Sequence, residues 1–444
     1  MQSVQATHLS GRSVAVIGSG VAGLTAAYVL SGRDRVTLYE ADTRLGGHAH
    51  THFVDDGTGR IVGVDSAFLV HNDRTYPTLC RLFDDLGVET NDSDMSMSVS
   101  ARGRNGSGLE YAGARGIGGL FPSWSNLTKP RYLRMLVEVT RFHRAATRLL
   151  ETSADPAGDP ETIGTFVARH GFSQYFVDNF LTPLIAAVWS CAPDAAMDYP
   201  ARYLFVFLDH HGMLTVFGSP TWRTVAGGSA SYVEAIADRL YEIRVGQAVR
   251  AVQRVPHGVL ITGVDGHQEE FDAVVIATHP DQALGMLAEP TAAERAVLGA
   301  LPYSTNHAQL HTDESVLPTR ERARASWNYL TTPAAGAGVL VTYDVSRLMR
   351  LTGPRRFLVT LGGRDRVDPA SVIAEMTYHH PLYTPESVAA QRLLPSLNDE
   401  RIAFAGAYHG WGFHEDGAVS GLKAAQRLGA YWPTRRARLQ GVSV

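Results

Sequence analysis

The readable pattern begins at Ser13–Ile17, a run that is apolar at nearly every position, as a strand covered on both faces requires. Helical periodicity follows to about Leu30, and a second apolar run, Val36–Tyr39, ends in Glu40. Strand, helix and strand in so short a span predict a βαβ unit and a parallel sheet. Further along, RVGQAVRAVQRVPHGVLITGVDGHQEEFDAVVIATHP (244–280) reads as a β-meander returning to the sheet and ending in Asp272–Thr278. RIAFAGAYHGWGFHEDGAVSGLKAAQRL (401–428) reads as a closing strand and helix. Between them, RYLRMLVEVTRFHRAATRLL (131–150) puts apolar positions 132, 135, 136, 139, 142, 146 and 149 on one helical face. Arg131, Arg134, Arg141, Arg144 and Arg148 are spread around that face. A core-facing helix accounts for the pattern; a basic amphipathic surface touching anionic lipid is the alternative. ETSADPAGDP (151–160) reads as an exposed loop.

Glycines set the chemistry of the first unit. Gly18, Gly20 and Gly23 fall as G-x-G-x-x-G between the first strand and its helix. Gly18 allows the tight turn, Gly20 lets backbone approach a pyrophosphate, and Gly23 lets helix and strand pack closely. The helix that starts at Val21 and Ala22 offers N–H groups and the positive end of its dipole to phosphates. Glu40, 22 residues after Gly18, is placed to accept hydrogen bonds from a ribose. Only one such fingerprint is present. GARGIGG (113–119) is glycine-rich but follows no apolar strand and reads as loop.

Composition narrows the classes. The 444 residues call for two domains, and 45% hydrophobic content with 43 Gly and 21 Pro is that of a globular chain with many turns. A net charge of −4 argues against a nucleic-acid partner, which needs a strong basic field. Cys80 and Cys191 are too few for a disulfide framework, no secretory signal is visible, and no apolar run is long enough to span a bilayer. These features predict a cytoplasmic protein, peripheral at the membrane if the basic helix touches lipid.

The segment after Glu40, ADTRLGGHAH, carries Arg44, Gly46 and Gly47, and resembles the R-x-G-G segment of FAD enzymes related to flavin-containing amine oxidases, protoporphyrinogen oxidases and carotenoid desaturases. That group usually has arginine where this chain has His48. The likeness continues at 61–70, at the G-G turn of 222–237 and at 401–428, so it covers essentially the whole chain. VDSAFLVHNDRTYPTLCRLFDDLGV (64–88), with HHPLYTP and GAYHGWGFHEDG, resembles most a bacterial amine-oxidase-like branch encoded near cyclopropane-fatty-acyl synthases. The resemblance implies an α/β fold: a Rossmann-like FAD-binding domain (1–95, 215–285 and 395–444) interleaved with an α+β substrate domain (96–214 and 286–394). It implies non-covalent FAD held by Gly18, Gly20, Val21, Ala22, Gly23, Glu40, Ala41, Arg44, Gly46, Gly47 and His48. Val249 would offer its backbone to adenine, and Gly406, Asp416, Gly417 and Ala418 would complete the site, the closing helix beginning at Gly417 and Ala418 with Asp416 near its cap.

Candidate chemistry follows from departures as well as matches. Related amine oxidases keep a lysine near flavin N5 and aromatics around the amine. Here the two lysines, Lys129 and Lys423, fit no such position, and His414 stands where one aromatic would be. His414 and Glu415 can transfer protons beside the flavin, and Tyr378, His379, His380 and Tyr383 are expected on the pocket's other side, either in chemistry or as polar wall. His48, His50 and His52 alternate as strand metal ligands would, but they follow the G-G pair and are read as flavin wall or structural histidines, with no metal. Trp189 and Cys191 are placed in the substrate domain, Cys191 as a small buried residue. The expected activity is FAD-dependent desaturation, reduction or double-bond isomerisation of an apolar, fatty-acyl or lipid substrate. The alternatives are an amine oxidase releasing peroxide, and a low-turnover flavoprotein partner of a methyltransferase-like lipid-modifying enzyme.

Overall fold

In a computed structural model of the protein, residues 11–101, 108–113, 115–152, 161–214, 220–331 and 340–432 are described. The loop expected at 151–160, the boundary at 215 and residues 433–444 lie mostly or wholly outside them.

Five parallel strands form the sheet that the apolar runs foretold, in the order Glu242–Val245, Arg35–Glu40, Ser13–Ile17, Ala273–Ile276, Ile402–Phe404. Val14, Ala15 and Val16 are fully buried, because sheet neighbours and covering helices leave no face wet. The first helix, Val21–Leu30, is buried along nearly all its length. The meander Val249–Val255, Gly258–Gly263 and Gln268–Phe271 is antiparallel and packs on one face of the sheet, with Val252, Val259 and Ile261 in the same core as Ala15, Ile17, Val274, Ile276 and Phe404. The class is α/β.

A second sheet has seven strands in the order Val372–Pro381, Tyr303–His311, Leu358–Leu361, Val341–Asp344, Trp327–Thr331, Met97–Ala101, Leu109–Gly113. Every pairing in it is antiparallel except Trp327–Thr331 with Met97–Ala101. Helices Pro130–Glu151, Ile163–His170, Thr182–Trp189 and Ala201–His210 complete the aromatic-rich core that this sheet shares. The glycine-rich stretch 113–119 departs from the loop expected of it. Gly116–Leu120 forms a short helix, ended by Phe121, whose N–H donates to the Ile117 carbonyl.

The closing helix also corrects an expectation. It spans His414–Arg427, beginning one turn before Gly417 and Ala418, because the Asp416 carboxylate reaches back to accept from the Phe413 N–H at 2.9 Å. Gly417 and Ala418 then lie within it, on the side that packs against the first helix. A Cβ on Gly417 would press on Val21, and one on Gly421 would overlap the Ala22 carbonyl oxygen. The contact is backbone on backbone. Gly421→Ala is therefore expected to lower stability by about 1–3 kcal/mol, the usual cost of overpacking. Denaturant unfolding with the midpoint unchanged would refute the close-packing account.

Candidate functional site

The strand-to-helix turn and the start of the closing helix face one another across a cleft of about 610 Å³, within the range of about 300–1,000 Å³ usual for small-molecule sites. Its walls include Gly18, Ser19, Gly20, Val21, Ala22, Glu40, Ala41, Gly47, His48, Val249, Gly406 and His414. Gly18 has φ +97°, a value that only glycine adopts without strain. A Cβ on Gly23 would overlap the Gly18 carbonyl oxygen, so Gly23 holds the turn against its helix from behind. A Cβ on Gly20 would meet no protein atom within 4 Å, leaving bare backbone facing the cleft. Two helix N-termini, at Val21 and at His414, line the same space and make it favourable to negative charge.

Glu40 ends its strand at the cleft. Its carboxylate accepts from the Ser19 N–H at 2.9 Å and hydroxyl, and from the Asp42 N–H at 2.8 Å. Ser19 also accepts from the Gly46 N–H at 3.1 Å, so one hydroxyl ties the turn, the acid and the G-G segment together. The pattern of glycines and acid did not reveal this link. Arg44 braces the same loop, donating to the Gly47 carbonyl at 2.8 Å and pairing with Asp42, and lies outside the cleft lining. Gly46 (φ +108°) and Gly47 (φ +57°) turn the chain so that Gly47 comes against Gly20.

A second cavity, narrow at about 160 Å³, meets the cleft at His48, His380, Pro381, Gly412, Phe413 and His414. Phe68, Leu69, Val70, Trp189, Phe207, Trp222, Trp327, Tyr343 and Trp411 line the rest of it. Among the described residues, no Asp, Glu, Lys or Arg does. Its polar groups are hydroxyls, indoles and histidines, and the histidines are kept neutral. Burial pushes His414 down to about 3 and His380 and His211 to about 4, and holds His48 well below its usual value. His414 stacks on Phe68 at 3.7 Å between centroids, and its Nε2 is buried without a protein partner. Sequence placed His414 beside this space as a group titrating near neutrality; the structure makes it neutral throughout the physiological range.

Two other candidates are elsewhere. Glu415 accepts from the N–H groups of Thr78 and Leu79, both at 2.9 Å, and so caps the helix Pro77–Leu86 instead of facing the cleft. Tyr383 is buried among Trp189, Tyr199 and Tyr203 and donates to the Gly410 carbonyl at 2.9 Å. It supports the turn before the closing helix and lines neither cavity. Asp416, pushed up to about 7 chiefly by burial, likewise serves that turn. Cys191 is fully buried.

The strand that was expected to carry all three histidines begins only at Thr51, and His48 sits in the turn before it. His50 and His52 lie side by side, centroids 4.1 Å apart, against Tyr378 Oη (2.9 Å) and Ser66 Oγ (3.0 Å). Among the described residues no group of three or more His, Cys, Asp or Glu is arranged to hold a metal. His379 and His380 reach the cleft wall as expected, joined by Gln247, Thr278, His279 and Tyr303, which local pattern did not single out.

A bare glycine turn, an acid at the end of the next strand and a cleft flanked by two helix N-termini are features of a dinucleotide-binding site. The pattern of the flavin containing amine oxidoreductases matches residues 21–429, and the chain belongs to that family, whose flavin here is FAD. Over 200 residues it is 26% identical to protoporphyrinogen oxidase 2, chloroplastic/mitochondrial, of Arabidopsis thaliana, covering 42% of this chain and 34% of that relative's length. The fold resembles that of the CLA-producing fatty acid isomerase from P. acnes (TM-score 0.68, 16% identity, 96% of this chain and 100% of that one). It also resembles cyclohexylamine oxidase from Brevibacterium oxydans (TM-score 0.66, 17% identity, 94% and 98%).

Two outcomes follow. Gly20→Ala should fold as the wild type does yet bind FAD at least about tenfold more weakly, about 1.4 kcal/mol, because the new methyl group occupies only the cofactor's space. Titration of the apoprotein with FAD checks this, and undiminished affinity would remove the phosphate-cradle assignment. Stability should also fall as pH is lowered from 6.5 to about 4. His71, His211, His279, His380 and His409, held at about 4, and His414, at about 3, take up protons in the unfolded chain first. Asp65 and Asp416, raised to about 6 and 7, act in the opposite sense but are fewer. A thermal midpoint that rises between pH 7 and 5 would contradict this balance.

Proposed function

We propose that the protein is an FAD-dependent oxidoreductase that desaturates, reduces or isomerises a neutral apolar chain, of which a fatty-acyl chain is the leading case. The observation that carries this reading is the chargeless cavity opening onto the cleft beside His414. A protonated amine entering it would leave water without a carboxylate to pair with, at a cost of several kcal/mol. An alkyl segment loses nothing of that kind. The narrow volume, close to that of a cavity which takes benzene, suits a slender chain segment better than a fused macrocycle. The fold shared with a fatty acid isomerase is consistent with this reading.

When bound, FAD supplies a ring that accepts and returns a hydride at carbon. The chain's own residues provide the surroundings. Phe68 fixes the plane of His414 by stacking, and Trp189 donates to the Trp411 carbonyl at 3.1 Å, closing the aromatic wall against water. His48, His380 and His414, kept neutral, offer hydrogen bonds where the cavity and cleft meet without introducing charge. The Nε2 of neutral His414, buried without a protein partner, can make one hydrogen bond to a substrate where the cavity and cleft meet.

His414→Phe is expected to retain FAD while slowing substrate-dependent reduction or reoxidation of the flavin about 10²-fold, the range for a lost preorganised hydrogen bond. Stopped-flow absorbance with unsaturated and saturated fatty-acyl substrates reads this directly. Simple primary amines are expected to leave the wild-type flavin oxidised. Their reduction of it with release of peroxide would establish amine oxidation instead.

A further inference from the structure

Away from the cleft, the stretch from Ile117 to Val137 exposes apolar side chains that the core leaves uncovered. Ile117 is 79% exposed, Trp124 86%, Leu127 44%, Leu133 38% and Val137 67%. These are five of the thirteen large apolar side chains exposed among the described residues, so exposure is concentrated here and not scattered. The three elements that carry them are packed together. Tyr132, on the buried side of the long helix Pro130–Glu151, donates to the Leu120 carbonyl at 2.7 Å and meets Phe121 edge-on at 6.0 Å. The short helix Gly116–Leu120 is thereby fastened to the start of the long one, and the turn Trp124–Thr128 runs directly into it.

The charge on this surface has one sign. Arg131, Arg134, Arg141, Arg144 and Arg148 all fall at exposed positions of the long helix. Its acid Glu138 is buried, bound by Ser173 and by Arg134, and the other, Glu151, ends the helix. No carboxylate pairs with Arg131, Arg144 or Arg148 among the described residues. A chain whose net charge is −4 thus presents a local cationic face beside exposed tryptophan, isoleucine and valine.

We propose that this face docks the protein onto the surface of an anionic lipid bilayer. Apolar side chains with a tryptophan, next to arginines on a helix lying flat, meet the two needs of interfacial binding: apolar area to insert and positive charge for headgroup phosphates. A second copy of the same face is a poorer occupant, since it would set arginine against arginine. The contact is with one surface. Among the described residues no helix is long and apolar enough to cross a membrane.

The test is cosedimentation of the FAD-loaded full chain with vesicles. Phosphatidylglycerol–phosphatidylethanolamine vesicles should bind it at least about tenfold better than pure phosphatidylcholine, and the preference should shrink as salt rises. Trp124→Ser with Ile117→Ser should lower partition about tenfold or more, and Arg144→Gln and Arg148→Gln roughly fivefold each. All four side chains are exposed, so the flavin spectrum and thermal midpoint should not move. Equal binding to both vesicle types, or binding indifferent to these substitutions, would overturn the proposal. So would a dimer in light scattering, or a complex with an acidic protein, that forms through this face and leaves vesicles unbound.

Discussion

Two absent side chains determine where everything at the site lies. Gly23 lets the first helix rest on the Gly18 carbonyl, and Gly421 lets the closing helix rest on the Ala22 carbonyl. Segments from opposite ends of the chain therefore meet backbone to backbone, and two helix N-termini arrive at one cleft. Larger residues would force these helices apart and carry the start of the closing helix, with His414, away from the dinucleotide turn. The positive ends of both helix dipoles act on the same small volume only because the contact is so close.

Burial sets the electrostatic character of the place where cavity and cleft meet. Burial lowers the pKa of His48, His380 and His414, so the region they share favours neutral imidazoles, polar but uncharged. The acids nearby are committed to structure. Asp65 accepts from Thr51 and Ser229 and so joins the hairpin Thr51–Asp55/Ile61–Asp65 to the start of helix Ala230–Ala237. Asp416 holds the turn of the closing helix, and Glu415 caps Pro77–Leu86. Among the described residues none of these acids lines the narrow cavity, a setting in which hydrogen bonds are strong and apolar chains are well accommodated.

What could be read in the chain was whatever local physics dictates. The run Ser13–Ile17, the three glycines and Glu40 lie within one short stretch, and each residue answers to a constraint set by its near neighbours: a buried strand, a tight turn, a strand end at the cleft. The α/β class and the glycine turn at the cleft were legible for that reason. So were His48, Val249 and Gly406 as parts of its wall, through the likeness of their surroundings to known flavin sites. The glycine-rich stretch at 113–119 misled because the buried strand before it, Leu109–Gly113, is not a continuous apolar run, and a five-residue helix has almost no periodic signal.

The sequence by itself determined the dinucleotide turn, the buried parallel strands, the glycines that the two helices need and the scarcity of lysine. Only the tertiary structure decided the roles of residues whose partners lie far along the chain. Glu415 and His414 are adjacent in sequence, yet one turns to Thr78 and Leu79 and the other to Phe68 at the mouth of the cavity. Tyr383 went to Gly410, and the cavity's aromatics came from segments as distant as Phe68, Trp189, Trp327 and Trp411. No local pattern encodes such a choice. The direction of a side chain depends on which surface its helix is packed against, and that is settled by burial summed over the whole chain.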